Sequence, residues 1–342
     1  MHDVELRPLR WAGDASHGHL ELLEQRALPA REEWLACRSV PEVATAIRDM
    51  TVRGAPAIGL AAAYGLVLAA ASAKGDRLAA VRDARAVLAK TRPTAVNLFW
   101  ALEQMEAAAT RDASPEQLLE VARALHDEDV RGNRRIGEDG AALIEDGMGV
   151  LTHCNAGSLA TGGLGTALAP LFIAHRQQKK FHVFVDETRP RLQGARLTAW
   201  ELDRAGVPFT LICDNMAASL MRKGRIQLCV VGADRIAANG DVANKVGTYS
   251  VAVNAAHHRA RFVVAAPRST FDLSLATGDA IPIEERDTRE VTDWGAERTC
   301  PPGIHVYNPG FDVTPAALVD RILTDRGVIA PVDAATVRRI VG

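Results

Sequence analysis

Cysteine is sparse and scattered. Cys37, Cys154, Cys213, Cys229 and Cys300 are odd in number and show no CxxC spacing. That excludes a disulfide framework and a zinc knuckle, which need close pairs. Reduced thiols in a cytoplasmic protein are expected instead. No HExxH helix and no acidic calcium loop occurs, so the sequence predicts neither metal nor cofactor. A basic excess is missing too. Lys and Arg number 40 against 42 Asp and Glu, for a formal charge of -2, whereas a nucleic-acid binder needs a basic face. The balance excludes a steering field, not a site for one small anion. Residues 1–5 carry acids and no apolar segment, which predicts no signal peptide. The most apolar run, 55–73, is rich in Ala and Gly with Tyr64 inside it. A spanning helix wants roughly 20 strongly apolar residues, so this run predicts a tightly packed buried helix and no membrane partner.

What is present is a 342-residue chain, 48% hydrophobic and 24% charged, ordinary for a globular protein of one or two domains. The first part reads as helical, over 41–50, 56–72, 77–90 and 95–109, with short strands expected before it within 5–29. Ser114-Pro115-Glu116-Gln117 sets an N-cap Ser, an N1 Pro and an N3 Gln in capping-box order. The helix it starts is expected to reach about residue 145, with a break near Gly132, and to bridge two domains. After Gly147 short apolar runs alternate with helical stretches: 149–152, 181–185, 209–212, 228–231 and 261–264. Continuous Val, Leu, Ile and Phe suit parallel strands buried on both faces. The expected fold is therefore α/β, a mainly helical domain over 1–130 and a doubly wound parallel sheet over 131–342.

The chemically capable residues follow those runs. Cys154, Glu187, Asp214 and Asp234 each fall just past a strand, on the rim where open α/β sheets bind ligands. Any one of them reads equally well as a helix cap; four together favour a site. Arg53-Gly54-Ala55-Pro56, Arg92-Pro93-Thr94 and Asn244-Lys245 each set a basic residue before a helix start, an arrangement suited to phosphate. Thr161-Gly162-Gly163-Leu164-Gly165 is a weaker anion candidate and lacks dinucleotide spacing. Cys154, followed by Asn155-Ala156-Gly157-Ser158, reads as the start of a helix, where a thiol's pKa falls.

Several segments resemble the methylthioribose-1-phosphate isomerase family. They include Arg53-Gly54-Ala55-Pro56-Ala57-Ile58-Gly59, Thr152-His153-Cys154-Asn155-Ala156-Gly157, Gly232-Ala233-Asp234-Arg235-Ile236, Asn244-Lys245-Val246-Gly247-Thr248-Tyr249 and Asn308-Pro309-Gly310-Phe311-Asp312. The resemblance runs in order along nearly the whole chain. It implies an aldose–ketose isomerase of methionine salvage, a Rossmann-like C-terminal domain, a homodimer and a phosphorylated-sugar substrate. It also implies that Cys154 and Asp234 are the catalytic pair, with Arg53, Gly54, Ala55, Arg92, Gln193, Asn244 and Lys245 on the substrate. The same superfamily holds ribose-1,5-bisphosphate isomerases and regulatory subunits of a translation initiation exchange factor, which are the alternative readings. A carboxyl acting as an acid near neutral pH needs burial to raise its pKa, and a methylthio group wants an apolar pocket. The residues leave open whether the hydrogen moves by a cis-enediol or a hydride shift.

Overall fold

The computed structural model describes residues 6–93 and 95–342. Residues 1–5, on which the reading of no signal peptide rests, and Thr94 of the Arg92-Pro93-Thr94 motif lie outside the described residues.

Strands β1 (Leu9–Ala12), β2 (His19–Leu23) and β3 (Trp34–Cys37) open the chain as an antiparallel sheet. Helices α1 (Val40–Arg48), α2 (Ala55–Ser72), α3 (Arg77–Ala89), α4 (Val96–Arg111) and α5 (Pro115–Ala141) follow. The axis of this half is α2, around which α1, α3, α4 and α5 pack. It is long and apolar enough to cross a membrane, yet 83% of it is buried in protein. A helix that is apolar on every side needs such a shell.

Ser114 caps α5 as expected, its hydroxyl accepting from the Gln117 N–H. The expected break near Gly132 is absent, and the helix ends at Ala141 rather than near residue 145. Gly132 serves close packing instead: a Cβ there would lie 2.9 Å from Asp325 Cβ. The end is set by Lys179, whose Nζ donates to the carbonyls of Ala141 at 2.7 Å and Ile144 at 2.8 Å. Residue 130 lies within α5, which packs against α2 on one side and the second half on the other.

The second half contains β4 (Gly149–Thr152), α6 (Ala169–Arg176), β5 (His182–Asp186), α7 (Ala199–Ala205), β6 (Phe209–Ile212), α8 (Ala217–Arg222) and β7 (Leu228–Val231). Then come β8 (Arg235–Ala237), β9 (Val242–Lys245), α9 (Thr248–His258), β10 (Arg261–Ala265), β11 (Phe271–Asp272), α10 (Arg289–Thr292) and the small pair β12 (Asp293–Trp294) and β13 (Glu297–Arg298). Last are β14 (Phe311–Thr314), β15 (Arg321–Thr324), β16 (Gly327–Ile329) and α11 (Ala334–Val341). The main sheet runs β16-β15-β10-β7-β4-β5-β6. Every pairing in it is parallel except that of the edge strand β16. Counted in chain order, its parallel strands lie 3-2-1-4-5-6, the doubly wound order whose reversal point falls between the first and fourth. Here those are β4 and β7. A smaller sheet, β11-β8-β9-β14, is inserted after β7.

The close approach of α5 and α6 yields a test. Gly to Ala inside a helix ordinarily stabilises by about 1 kcal/mol. At Gly140 the new Cβ would lie 2.4 Å from Pro170 Cγ. Gly140→Ala is therefore expected to destabilise, by about 1–3 kcal/mol of overpacking, and a lowered midpoint in thermal or urea unfolding checks it.

Candidate active site

Cys154 and Asp234 lie just past β4 and β7, at the reversal point of the sheet. Both line one cavity, and so do Arg53, Gly54, Ala55, Arg92, Gln193, Asn244 and Lys245. The nine residues that the resemblance implies for the site are thus brought together, though they come from both halves of the chain.

Cys154 is held in the left-handed region at φ 64°, which for a side chain with a Cβ costs about 1–3 kcal/mol. The loop holds it there from both sides. Its N–H donates to Thr188 Oγ1 at 2.8 Å, and its carbonyl accepts from Thr198 Oγ1 at 2.6 Å. The expected helix start at Cys154 is not found; the nearest helical piece is the short turn Ser158–Ala160. Burial accordingly pushes the Cys154 thiol above its ordinary range, although Arg53 and Lys245 pull it down. The shift is away from a ready thiolate.

Asp234 meets the expectation of a raised pKa. Burial pushes the carboxyl up, while Lys245, Arg92 and Arg53 pull it down and Glu284 adds to the rise. Burial likewise lowers the Lys245 ammonium, opposed by Cys154 and Asp234. Lys245 Nζ donates to the Gly310 carbonyl at 2.5 Å and sits 4.3 Å from the centre of the Phe311 ring. Gln193 is buried and its Oε1 has no partner, so an acceptor stands ready at the cavity wall.

The anion groups differ in part from expectation. Gly54, at φ 93°, begins α2, and a Cβ there would lie 2.4 Å from Ala160 Cα. Only glycine lets that helix start approach the loop after β4. Arg53 beside it donates to the Asn155 carbonyl and side chain, and to Gln25 Oε1 at 3.2 Å. Asn155 is in turn held by Glu201 at 2.8 Å. Asn244 and Lys245 do not lead directly into a helix. They lie on β9, paired with β14, and the amides at the start of α9 are already taken. Gly247 and Tyr249 N–H groups donate to the Asp312 carboxylate at 2.7 and 3.1 Å. What Lys245 offers to the cavity is therefore its ammonium alone. The glycine-rich stretch is also occupied, since the Gly162 N–H donates to Asp129 at 2.7 Å.

Glu187 and Asp214 do not line the cavity. Asp214 does not take the capping alternative either; its carboxylate pins the loop after β5, accepting from the N–H groups of Thr188 and Arg189 at 2.7 Å each. With His153 and Asp186 it forms a group whose ligand atoms lie within 4.8 Å of one another, but those atoms largely bind each other and the backbone. His153 Nδ1 is 3.0 Å from Asp186, and its Nε2 is 2.9 Å from the Val246 carbonyl. A carbonyl can only accept, so Nε2 carries a hydrogen.

The comparisons with known proteins now bear on this geometry. Residues 51–331 match the model of the initiation factor 2 subunit family. The methylthioribose-1-phosphate isomerase of Syntrophotalea carbinolica is 56% identical over 322 residues, 91% of this chain and 94% of that protein. The chain belongs to this family, among its methylthioribose-1-phosphate isomerases. A protein of Moorella thermoacetica named 5-deoxyribose 1-phosphate isomerase is 53% identical, covering 95% of each chain. The crystal structure of the 5-methylthioribose 1-phosphate isomerase of Pyrococcus horikoshii superposes with a TM-score of 0.91 at 42% identity, over 99% of this chain and 96% of that one.

Two further cations reach the cavity that local sequence does not reveal. Arg191 and Arg286 line it, and both are paired with Glu290, at 2.8 and 2.9 Å. Arg286 also meets Glu284 at 3.0 Å, and Glu284 meets Arg92 at 3.4 Å. No motif marks these residues, because the segment that carries Glu284 and Arg286 meets Arg92 only through the fold.

Thiol reactivity tests the altered view of Cys154. Cys213 is exposed and Cys154 buried. With a neutral alkylating reagent at pH 7, Cys213 is expected to label first without loss of activity, and inactivation to follow the slower labelling of Cys154. Peptide mass spectrometry alongside activity checks the order.

Proposed function

We propose that the protein is an aldose–ketose isomerase converting 5-methylthioribose 1-phosphate to 5-methylthioribulose 1-phosphate, a step of methionine salvage. The observation that carries this reading is that a buried thiol, Cys154, and a buried carboxyl, Asp234, line one cavity together with Arg53, Arg92 and Lys245. The likeness to named isomerases over nearly the full chain supports it.

The substrate's anomeric oxygen carries phosphate, so the ring cannot open as a free hemiacetal does. In our reading Asp234 gives its proton to the ring oxygen as the bond from C1 to that oxygen breaks. The hydrogen on C2 then passes to C1, O2 loses its proton, and C2 becomes the ketone. Cys154 lies beside C1 and C2 during this change, and Asp234, left as carboxylate, is the base that recovers a proton. Arg53 and Lys245 hold the phosphate, helped by Arg92, which is shared with Glu284 at 3.4 Å, with charge-assisted bonds as the source of affinity. Deuterium at C2 that is retained at C1 identifies a hydride shift; washout into water identifies an enediol.

The alternative substrate, a 1,5-bisphosphate, needs a second anion site. Arg191 and Arg286 are the spare cations, but Glu290 and Glu284 already neutralise most of their charge. A purely regulatory subunit gives no role to a buried carboxyl facing a thiol. We further propose that the enzyme is a cytoplasmic homodimer, and that residues 1–130 and 131–342 act as two domains sharing α5. Light scattering of the purified protein tests the dimer.

Asp234→Asn keeps shape and most hydrogen bonds but cannot give up a proton. General acid–base groups contribute about 10²–10⁴ in rate, so kcat is expected to fall by at least that much with KM within about tenfold. The pH profile carries the sign. Asp234 must be protonated to act, and burial lifts its pKa above the ordinary 3.8. The wild-type rate should therefore decline as pH rises through that raised value, and the Asn variant should lose this limb. A near-wild-type kcat would remove Asp234 from the mechanism.

Lys245→Ala removes a charge-assisted bond worth about 1.5–3 kcal/mol. KM is expected to rise roughly tenfold to a hundredfold, by the same arithmetic, with inorganic phosphate losing its power to inhibit. A lowered unfolding midpoint with an unchanged KM would mark Lys245 as structural.

A further inference from the structure

Glu201 lies in the first turn of α7 with only 3% of its surface exposed. The groups bonded to it are neutral. Oε1 accepts from the Asn155 side-chain amide at 2.8 Å and from the Leu159 N–H at 3.4 Å, and Oε2 accepts from the Ser158 N–H at 2.7 Å. All three partners are donors, so the ionised carboxylate is the form that satisfies them. Burial pushes the carboxyl up, while these bonds and the charge of Arg53 pull it down. Such a charge is costly to bury without a bonded cation.

Asn155 joins this carboxylate to the catalytic cavity. Its Nδ2 donates to Glu201 and, at 3.1 Å, to Thr198 Oγ1, which leaves Oδ1 to accept from Arg53. Arg53 also donates to the Asn155 carbonyl at 3.0 and 3.1 Å. A guanidinium has donors only, so an amide turned the other way would set N–H against N–H. Glu201 thus decides which end of Asn155 the guanidinium meets. Glutamine could not do so. Both carboxylate oxygens are in use as acceptors, and Gln would place its NH2 group against either Asn155 Nδ2 or the Ser158 N–H. The remaining edge of the guanidinium is fixed by Gln25, whose Oε1 lies 3.2 Å from Arg53 Nε and whose Nε2 donates to the Leu159 carbonyl at 2.7 Å.

Arg92 is held differently. It meets the Glu284 carboxylate directly at 3.4 Å, and a phosphate must compete with that charge. For Arg53 the carboxylate stands one amide away. Coulomb attraction falls with distance, so the guanidinium is oriented without being neutralised at contact. We propose that Glu201 is a positioning residue: acting through Asn155, it holds Arg53 against the loop after β4 and leaves its charge for the substrate phosphate. This rests on the isomerase reading and deepens it, since that reading places the phosphate on Arg53.

The experiment uses the full-length protein with Glu201→Gln alone, Arg53→Ala alone and the two together. It reads the Kd of inorganic phosphate by calorimetry and KM for 5-methylthioribose 1-phosphate. In the wild-type background Glu201→Gln should raise both about tenfold, the scale of one weakened charge-assisted bond. In the Arg53→Ala background it should change them by less than about twofold, because a residue that acts through Arg53 has nothing left to act on. A group that only stabilises the fold would cost the same in both backgrounds, or lower the unfolding midpoint and leave Kd and KM alone. Either result overturns the assignment. Should Glu201→Gln fail to fold by circular dichroism, Asn155→Ala goes through the same cycle, since it leaves Glu201 its bonds to Ser158 and Leu159. If that variant fails to fold as well, the pair is structural and the assignment is overturned. If wild-type protein binds phosphate but isomerises no sugar, the isomerase reading falls, while the Kd cycle still decides the role of Glu201.

Discussion

The site depends on the parting of two neighbouring strands. β4 and β7 pair through Val150↔Leu228 and Leu151↔Cys229, and then the chain leaves them in opposite directions. From β4 it goes to β5 on one side, and from β7 toward β10 on the other. A crevice opens at their carboxyl ends because no connection crosses it. Cys154 and Asp234 follow those ends within a few residues, so their meeting is a consequence of strand order. The helical half closes the crevice by bringing the start of α2 against Ala160, an approach that the missing Cβ of Gly54 permits. Arg53 arrives with it.

The charges within this crevice are arranged to wait for an anion. Lys245 donates to a carbonyl, and Arg53 to a carbonyl and to side-chain amides. Their direct partners are neutral. Arg92, Arg191 and Arg286 instead meet the carboxylates of Glu284 and Glu290. The cavity thus has one region whose cations have no carboxylate bonded to them and one where each cation is paired with a carboxylate. A phosphate is attracted to the first and gains less at the second. That difference gives the substrate a direction before any base or acid acts on it.

Much of this was legible in the sequence where the signal is local. Continuous apolar runs such as Leu228-Cys229-Val230-Val231 became the buried parallel strands, because burial on both faces leaves no polar alternation. The Ser114 cap was legible because the bond it makes spans three residues. Lys245 misled for a physical reason: Val242-Ala243-Asn244-Lys245 joins a strand only through its distant partner β14. Cys154 misled likewise, since a loop held by Thr188 and Thr198 replaces the expected helix start. Arg191, Arg286 and the Glu201 support of Asn155 had no local signal, because tertiary contacts alone bring them to the site. The resemblance pointed to the residues; burial and partners set the direction in which their pKa values shift.

Those protonation states are coupled to substrate. In the empty site burial lifts the Asp234 pKa, while Lys245, Arg92 and Arg53 hold it down. A bound phosphate dianion offsets the charge of the same three cations. It also displaces water from the cavity, which adds to the desolvation already present. Both changes raise the pKa of the carboxyl further. In the proposed mechanism, substrate binding therefore draws a proton toward Asp234, and the acid that ring opening needs is most fully formed when a ring is there to be opened. By reciprocity, protonation of Asp234 must strengthen binding of the dianion. Below about pH 6 the phosphate itself begins to take up a proton, which weakens its hold on the cations. The two effects oppose each other, so the tightest binding falls where Asp234 is still protonated and the phosphate is still doubly charged. A raised carboxyl pKa brings those two conditions closer together. At an ordinary carboxylate pKa the acid would be lost before the dianion had formed.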